Sequence, residues 1–170
     1  VVLSGNMQYP PNRAAYEVLV AEVLPLVRAV RPDARVRVVG RAAATLPPVA
    51  GVELLSDVPD MHAALRDATV AVAPLEGGTG APNKVLEAAV AGCAVVAPQW
   101  VMDAFDLELR GSDGAAATAA AVLALLDDPA GRAANVAVVR AAVARSRPDH
   151  LAIEAERLLA AVAGSRAASA

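Results

Sequence analysis

Residues 70–98 read V-A-V-A-P-L-E-G-G-T-G-A-P-N-K-V-L-E-A-A-V-A-G-C-A-V-V-A-P. Short apolar runs stand at both ends, a glycine-rich loop follows the first, and a helical pattern leads to Gly92 and the second run. The segment therefore predicts strand, loop, helix, glycine stop and strand. Lys84 and Glu87 fall in the first turn of that helix. Lys84 is the only lysine; the chain's other basic side chains are arginines. An ammonium is a compact point charge suited to phosphate, whereas guanidinium is a flat fork. The loop and helix are read as holding the diphosphate and ribose of a nucleotide.

Working outward, residues 1–4 form a short apolar run closed by Gly5. A turn-rich loop, residues 5–12, precedes a helical pattern over residues 13–30, with Asn12 expected as its cap and Pro25 as a kink or break. Strands are expected at residues 35–39, 52–55, 69–73 and 93–97, and Asp60 is expected to cap a helix over residues 61–66. Asn83 is expected to cap the central helix and Gly92 to end it. Beyond Pro98 the pattern predicts a short helix at 99–107, an edge strand at 107–109, and helices at 114–126 and 130–145. A final helix, capped by Asp149, is expected to run to about residue 162.

Strands alternating with helices argue an α/β domain, a doubly wound Rossmann-like parallel sheet with helices on both faces and a C-terminal helical segment. Residues 1–163 are read as one nucleotide-binding domain, with residues 164–170 a frayed tail. In this topology the first and fourth strands are neighbours where strand order reverses. The loops leaving them, at Gly5-Asn6 and residues 76–82, then face one crevice.

The bulk composition agrees. The 170 residues are 56% hydrophobic but only 2% aromatic, so Val, Leu and Ala must build the core. A net charge of -3 argues against a nucleic-acid surface. The single cysteine, Cys93, cannot form an internal disulfide and fits a small buried residue in a reducing, cytoplasmic setting. No apolar run approaches the roughly 20 residues a membrane span needs. The opening V-V-L-S is read as a strand cut from a longer chain.

Gly77, Gly78 and Gly80 allow close backbone approach to a ligand. The amides of Asn83, Lys84 and Val85 open a helix and favour an anion. Glu87 suits either a ribose diol or an ion pair with Lys84. Asn6 suits either a phosphate oxygen or a turn. Neither the P-loop pattern nor G-x-G-x-x-G is present.

The stretch G-x-x-N-K-V-L-E-A-x-x-A-G-x-x-V-V-A, residues 80–97, resembles the donor-binding segment of retaining GT-B glycosyltransferases of the family-4 type. L-S-G-N-M-Q-Y-P-P-N (3–12), V-V-G-R (38–41) and V-P-D (58–60) are similar in the same order. The branch with N-K-x-L-E, found among exopolysaccharide-type bacterial sugar transferases, is the nearest likeness. The resemblance implies that Gly5 and Asn6 contact the donor diphosphate and that Gly80, Asn83 and Lys84 bind its phosphates. It implies Glu87 on the ribose, Arg41 at the nucleotide edge and Val58 beside the base. The ligand it implies for the domain of residues 1–163 is a nucleotide-sugar. Lys84 is the expected catalytic residue, stabilising charge on the departing diphosphate. The implied reaction is a hexosyltransferase-type transfer from a nucleoside-diphosphate sugar with retention, in polysaccharide biosynthesis. The resemblance implies no metal and no other cofactor. It implies an N-terminal acceptor domain that these residues do not supply, so the chain alone is expected to be inactive. Peripheral membrane contact of the full enzyme stays open.

Two positions depart from the pattern. Many members carry a first glutamate eight residues before the second, where this chain has Thr79. The basic residues usual on the first loop and helix are replaced by Q-Y-P-P-N-R, residues 8–13. Two further readings stand beside the transferase: a sugar-nucleotide epimerase of the same architecture, and a non-catalytic α/β module that binds a partner. His62 and His150 fit no epimerase motif.

Overall fold

The computed structural model describes residues 1–77 and 82–146. Five parallel strands form one sheet: β1 (Val2–Ser4), β2 (Val36–Val39), β3 (Val52–Leu55), β4 (Val70–Val72) and β5 (Ala94–Val96). Their order is β3-β2-β1-β4-β5. Val2 is the hinge of the register, paired with Arg37 of β2 on one side and Ala71 of β4 on the other. The order reverses between β1 and β4, as the sequence predicts, and their carboxyl ends open on the same edge.

Burial follows from this order. β1, β4 and β5 are covered throughout, and their V-L-S, V-A-V and A-V-V sequences carry no charge. β3 lies at an edge and is half-exposed, which accommodates Glu53; its carboxylate accepts from Arg37 Nε of β2 at 2.7 Å.

On one face of the sheet lie α1 (Pro10–Val18), α2 (Leu24–Val30) and α6 (Ala115–Asp127); on the other lie α3 (Met61–Arg66), α4 (Lys84–Val90) and α7 (Pro129–Ser146). A short helix, α5 (Gln99–Ala104), follows β5. Among the described residues Tyr16 is the largest fully buried side chain, and its hydroxyl donates to Pro47 O at 2.5 Å.

The break expected at Pro25 is a π-helical turn, Leu19–Val23, in which Leu24 N–H donates to Leu19 O. Proline offers no N–H and its ring crowds the carbonyl four residues back, so the ladder slips by one residue there.

Two expectations are corrected. Helix α1 begins at Pro10, not Arg13, because a proline pair suits the first helical positions. Asn12 therefore lies inside the first turn and is not the cap. Residues 107–109 form no strand. Leu109 N–H turns back to Leu107 O at 2.7 Å, and the outer edge of β5 is satisfied otherwise. Asn135 of α7 accepts from Val95 N–H at 2.8 Å and donates to Val95 O at 3.1 Å, and Ser112 N–H donates to Ala97 O at 2.9 Å. One amide side chain and one loop residue occupy the place of a sixth strand. The expected final helix lies outside the described residues.

Candidate functional site

Helix α4 packs against β5 and α7, and its first residues, Lys84 and Val85, reach β1 and β4. Val85, Leu86, Ala88 and Ala89 are buried, which fixes its roll and leaves Glu87 exposed. Its far end is a Schellman stop: Gly92, at φ +100°, donates to Ala89 O, and Cys93 N–H donates to Ala88 O at 2.9 Å. Arg140 adds a second donor to Ala89 O at 2.9 Å and satisfies Val90 O at 2.7 Å. A helix of seven residues is thereby held rigidly by its C-terminal end.

At the other end Asn83 is the cap residue, as expected, but its side chain makes no capping hydrogen bond. The Val85 amide is also not open to an anion, since it donates to Pro82 O at 3.1 Å. The site therefore depends on side chains more than on the helix terminus. Gly80, with Gly78 and Thr79, lies outside the described residues.

Lys84 is the centre. Its stem runs over Ser4 of β1 and residues 71–73 around β4, sharing with them a gap of only about 10 Å³. Its ammonium donates to Asn12 Oδ1 from the first turn of α1. Burial lowers the Lys84 pKa to about 8, while the Glu87 carboxylate pulls it back upward. The group stays mostly protonated at neutral pH.

Gly5 closes the other wall. It leaves β1 at φ +147°, and a Cβ there would lie 3.1 Å from Lys84 Nζ and 2.7 Å from Asn12 Nδ2. The loop leaving β1 and the first turns of α1 and α4 thus meet at one ammonium group. Asn6 lies next to them. Its Oδ1 accepts from Gln8 N–H at 3.0 Å, the turn-holding alternative, and its backbone carbonyl accepts from Asn12 Nδ2 at 2.9 Å.

Arg41 and Val58 follow β2 and β3 on the same edge, farther along it. Arg41 is exposed, and its carbonyl accepts from Met7 N–H at 2.9 Å, which ties the two loops together. Val58 is half-buried and packs on the core. No hydrogen bond joins either to Lys84 among the described residues.

Asn12 is the site residue that sequence reasoning misread. The signal was present: Pro10-Pro11 marks the start of a helix, which places Asn12 on its first turn facing β1. Among the described residues no group of three His, Cys, Asp or Glu side chains is placed to hold a metal ion. Among them, too, no helix is long and apolar enough to cross a membrane.

Residues 1–128 match the family described as Glycosyl transferases group 1. The chain belongs to that glycosyltransferase family. The glycosyltransferase domain is also similar in fold to a solved mutant of the O-GlcNAc transferase of Thermobaculum terrenum, with a TM-score of 0.64 and 20% identity. The likeness covers 94% of this chain but 35% of that one, so the domain spans about a third of the length of the structure it matches. No curated protein matches the glycosyltransferase domain.

Proposed function

We propose that this domain binds the donor of a glycosyltransferase that moves a sugar from a nucleoside-diphosphate sugar to an acceptor with retention at the anomeric carbon. One observation carries the reading: the Lys84 ammonium, sunk between β1 and β4, held by Asn12 and lying against Gly5 at the strand-order reversal. A half-buried cation at a switch point, walled by a glycine with no side chain, suits a diphosphate.

In this reading Gly5, Gly80, Asn83 and Lys84 hold the phosphates, with the Asn6 amide nitrogen as a further donor. Glu87, exposed in the first turn of α4, accepts from the ribose hydroxyls. Arg41 borders the nucleotide and Val58 the base. As the bond from the anomeric carbon to the diphosphate breaks, negative charge gathers on the departing oxygens. Lys84, already fixed there, stabilises it without a metal or other cofactor. Because that interaction strengthens in the transition state, Lys84→Ala is expected to lower turnover more than donor affinity in the full enzyme. The acceptor site, on this reading, belongs to an N-terminal domain, and the enzyme works in the cytoplasm on polysaccharide synthesis.

Calorimetry with UDP, GDP, ADP and dTDP tests it. One or more should bind, and Lys84→Ala should weaken that binding. If none of the four binds, the domain is a partner-binding α/β module instead. With the full enzyme, a transferred rather than an epimerised sugar separates a transferase from an epimerase.

A further inference from the structure

We propose that Asn12 is the positioning residue for the Lys84 ammonium, setting the point at which that charge meets a diphosphate. The proposal rests on the donor-site reading above.

Asn12 is 7% exposed, one of very few buried polar side chains among the described residues. Its two amide atoms face partners of opposite kind. Nδ2 donates to the Asn6 carbonyl at 2.9 Å, and Oδ1 accepts from Lys84. A carbonyl can only accept and an ammonium can only donate, so the amide cannot be flipped without breaking both bonds. Asn12 is thereby a one-way bracket: the β1 loop orients the amide, and the amide orients the lysine.

The bracket matters because lysine has a long, flexible stem and a charge with no directional preference of its own. A free lysine must lose rotamer freedom when it meets an anion, whereas a tethered one has lost it already. Asn12 uses one of the three ammonium hydrogens and leaves the others for the crevice. It is neutral, so it takes nothing from the positive charge that the anion requires. The same bracket ties α1 to α4 across the strand-order reversal, so the β1 loop and the start of α4 are joined by the residue that places the charge.

The test uses inorganic pyrophosphate and the four nucleoside diphosphates, with Lys84 read directly. Because Lys84 is the only lysine, isotope-labelled lysine gives a single side-chain signal whose titration reports its protonation. Asn12→Leu keeps the volume and removes both hydrogen bonds. At about pH 6, where Lys84 is charged throughout, its pyrophosphate affinity should fall about tenfold, as expected for a lost hydrogen bond to a charged group. Every nucleotide that binds should weaken by the same factor, since the diphosphate is shared. The Lys84 titration should move below its wild-type midpoint, because a group that favoured the charged form has gone. Asn12→Asp, nearly the same size, should move the midpoint above wild type and also weaken pyrophosphate. A merely structural Asn12 would change melting temperature and neither readout.

Wild-type affinity together with an unmoved midpoint in either folded variant overturns the proposal. If Asn12→Leu does not fold, Asn12→Asp decides alone. If wild type binds neither pyrophosphate nor any nucleotide, the donor-site reading fails. The titration midpoints then still show whether Asn12 and Lys84 are coupled.

Discussion

A Cβ placed on Gly5 would lie 3.1 Å from the Lys84 ammonium and 2.7 Å from Asn12 Nδ2. The missing side chain of one residue is therefore the space in which the other two meet. Gly5→Ala should cost about 2 kcal/mol, from the backbone strain at its positive φ and the displaced amide. Nucleoside-diphosphate affinity should fall as well, because the bracket on Lys84 is pushed aside. Urea unfolding with calorimetry on the same samples checks both. A loss of stability with unchanged affinity would remove Gly5 from the site.

Gly40 faces a harder obstacle. It follows β2 at φ +139°, and a Cβ there would lie 2.1 Å from Gly5 O and 2.8 Å from Gly5 C. Those are backbone atoms, fixed by the Gly5 N–H bond to Val39 O at 3.0 Å. A side chain can rotate away, but a strand end cannot. Gly40→Ala should destabilise by about 3 kcal/mol or more, beyond Gly5→Ala. A urea midpoint at or above that of Gly5→Ala would contradict this.

Much of this was legible in the sequence. V-A-V-A and C-A-V-V-A announce strands because nothing in them tolerates water. Gly92 announces a helix stop because a left-handed cap favours glycine. Strand order then places Gly5 and Lys84 together without any motif. The failures have a common cause, since each concerns where a polar group finds its partner. The edge strand at 107–109 looked necessary because β5 needed a neighbour, but Asn135, forty residues away in sequence, supplies the hydrogen bonds of one strand residue. Asn12 looked like a cap because asparagine often is one. Its true partners, Asn6 in the β1 loop and Lys84 in the first turn of α4, belong to different segments, and only the second is distant in the chain. Apolar periodicity reports burial; it does not report the pairing of amides.

The half-buried ammonium gives a pH signature with two opposed signs. Lys84 has its pKa lowered from 10.5 to about 8, chiefly by burial. Between those values the unfolded chain holds a proton that the folded one has lost, so stability rises with pH across that window. Below about 8 both states are protonated and the full penalty for burying the charge is present. Diphosphate affinity runs the other way, falling as pH rises through the same midpoint. Lys84→Met should remove this step from the stability profile. Near neutral pH it should raise Tm, by about 2–4 °C for each kcal/mol of penalty relieved. Thermal scans of both proteins from neutral to alkaline pH give the difference, which cancels other titrating groups. Parallel curves would mean that Lys84 is not desolvated.

Asn135 makes the last prediction. Val95 is 2% exposed, and its outward N–H and C=O meet only the Asn135 amide among the described partners. An unpaired edge of this kind costs free energy when covered by a helix and invites pairing with other chains when uncovered. Asn135→Ala should destabilise by about 2 kcal/mol, since two buried backbone groups lose their partner at once. Asn135→Asp should fall between, because it keeps an acceptor for the Val95 amide while its donor is gone. Amide exchange at Val95 should accelerate in both variants, in the same order. Nucleoside-diphosphate affinity should not change, as Asn135 packs on the edge beyond β5 and Lys84 lies over β1 and β4. Unchanged exchange at Val95 would mean that water can stand in for the amide, and that the edge is open, not sealed by α7.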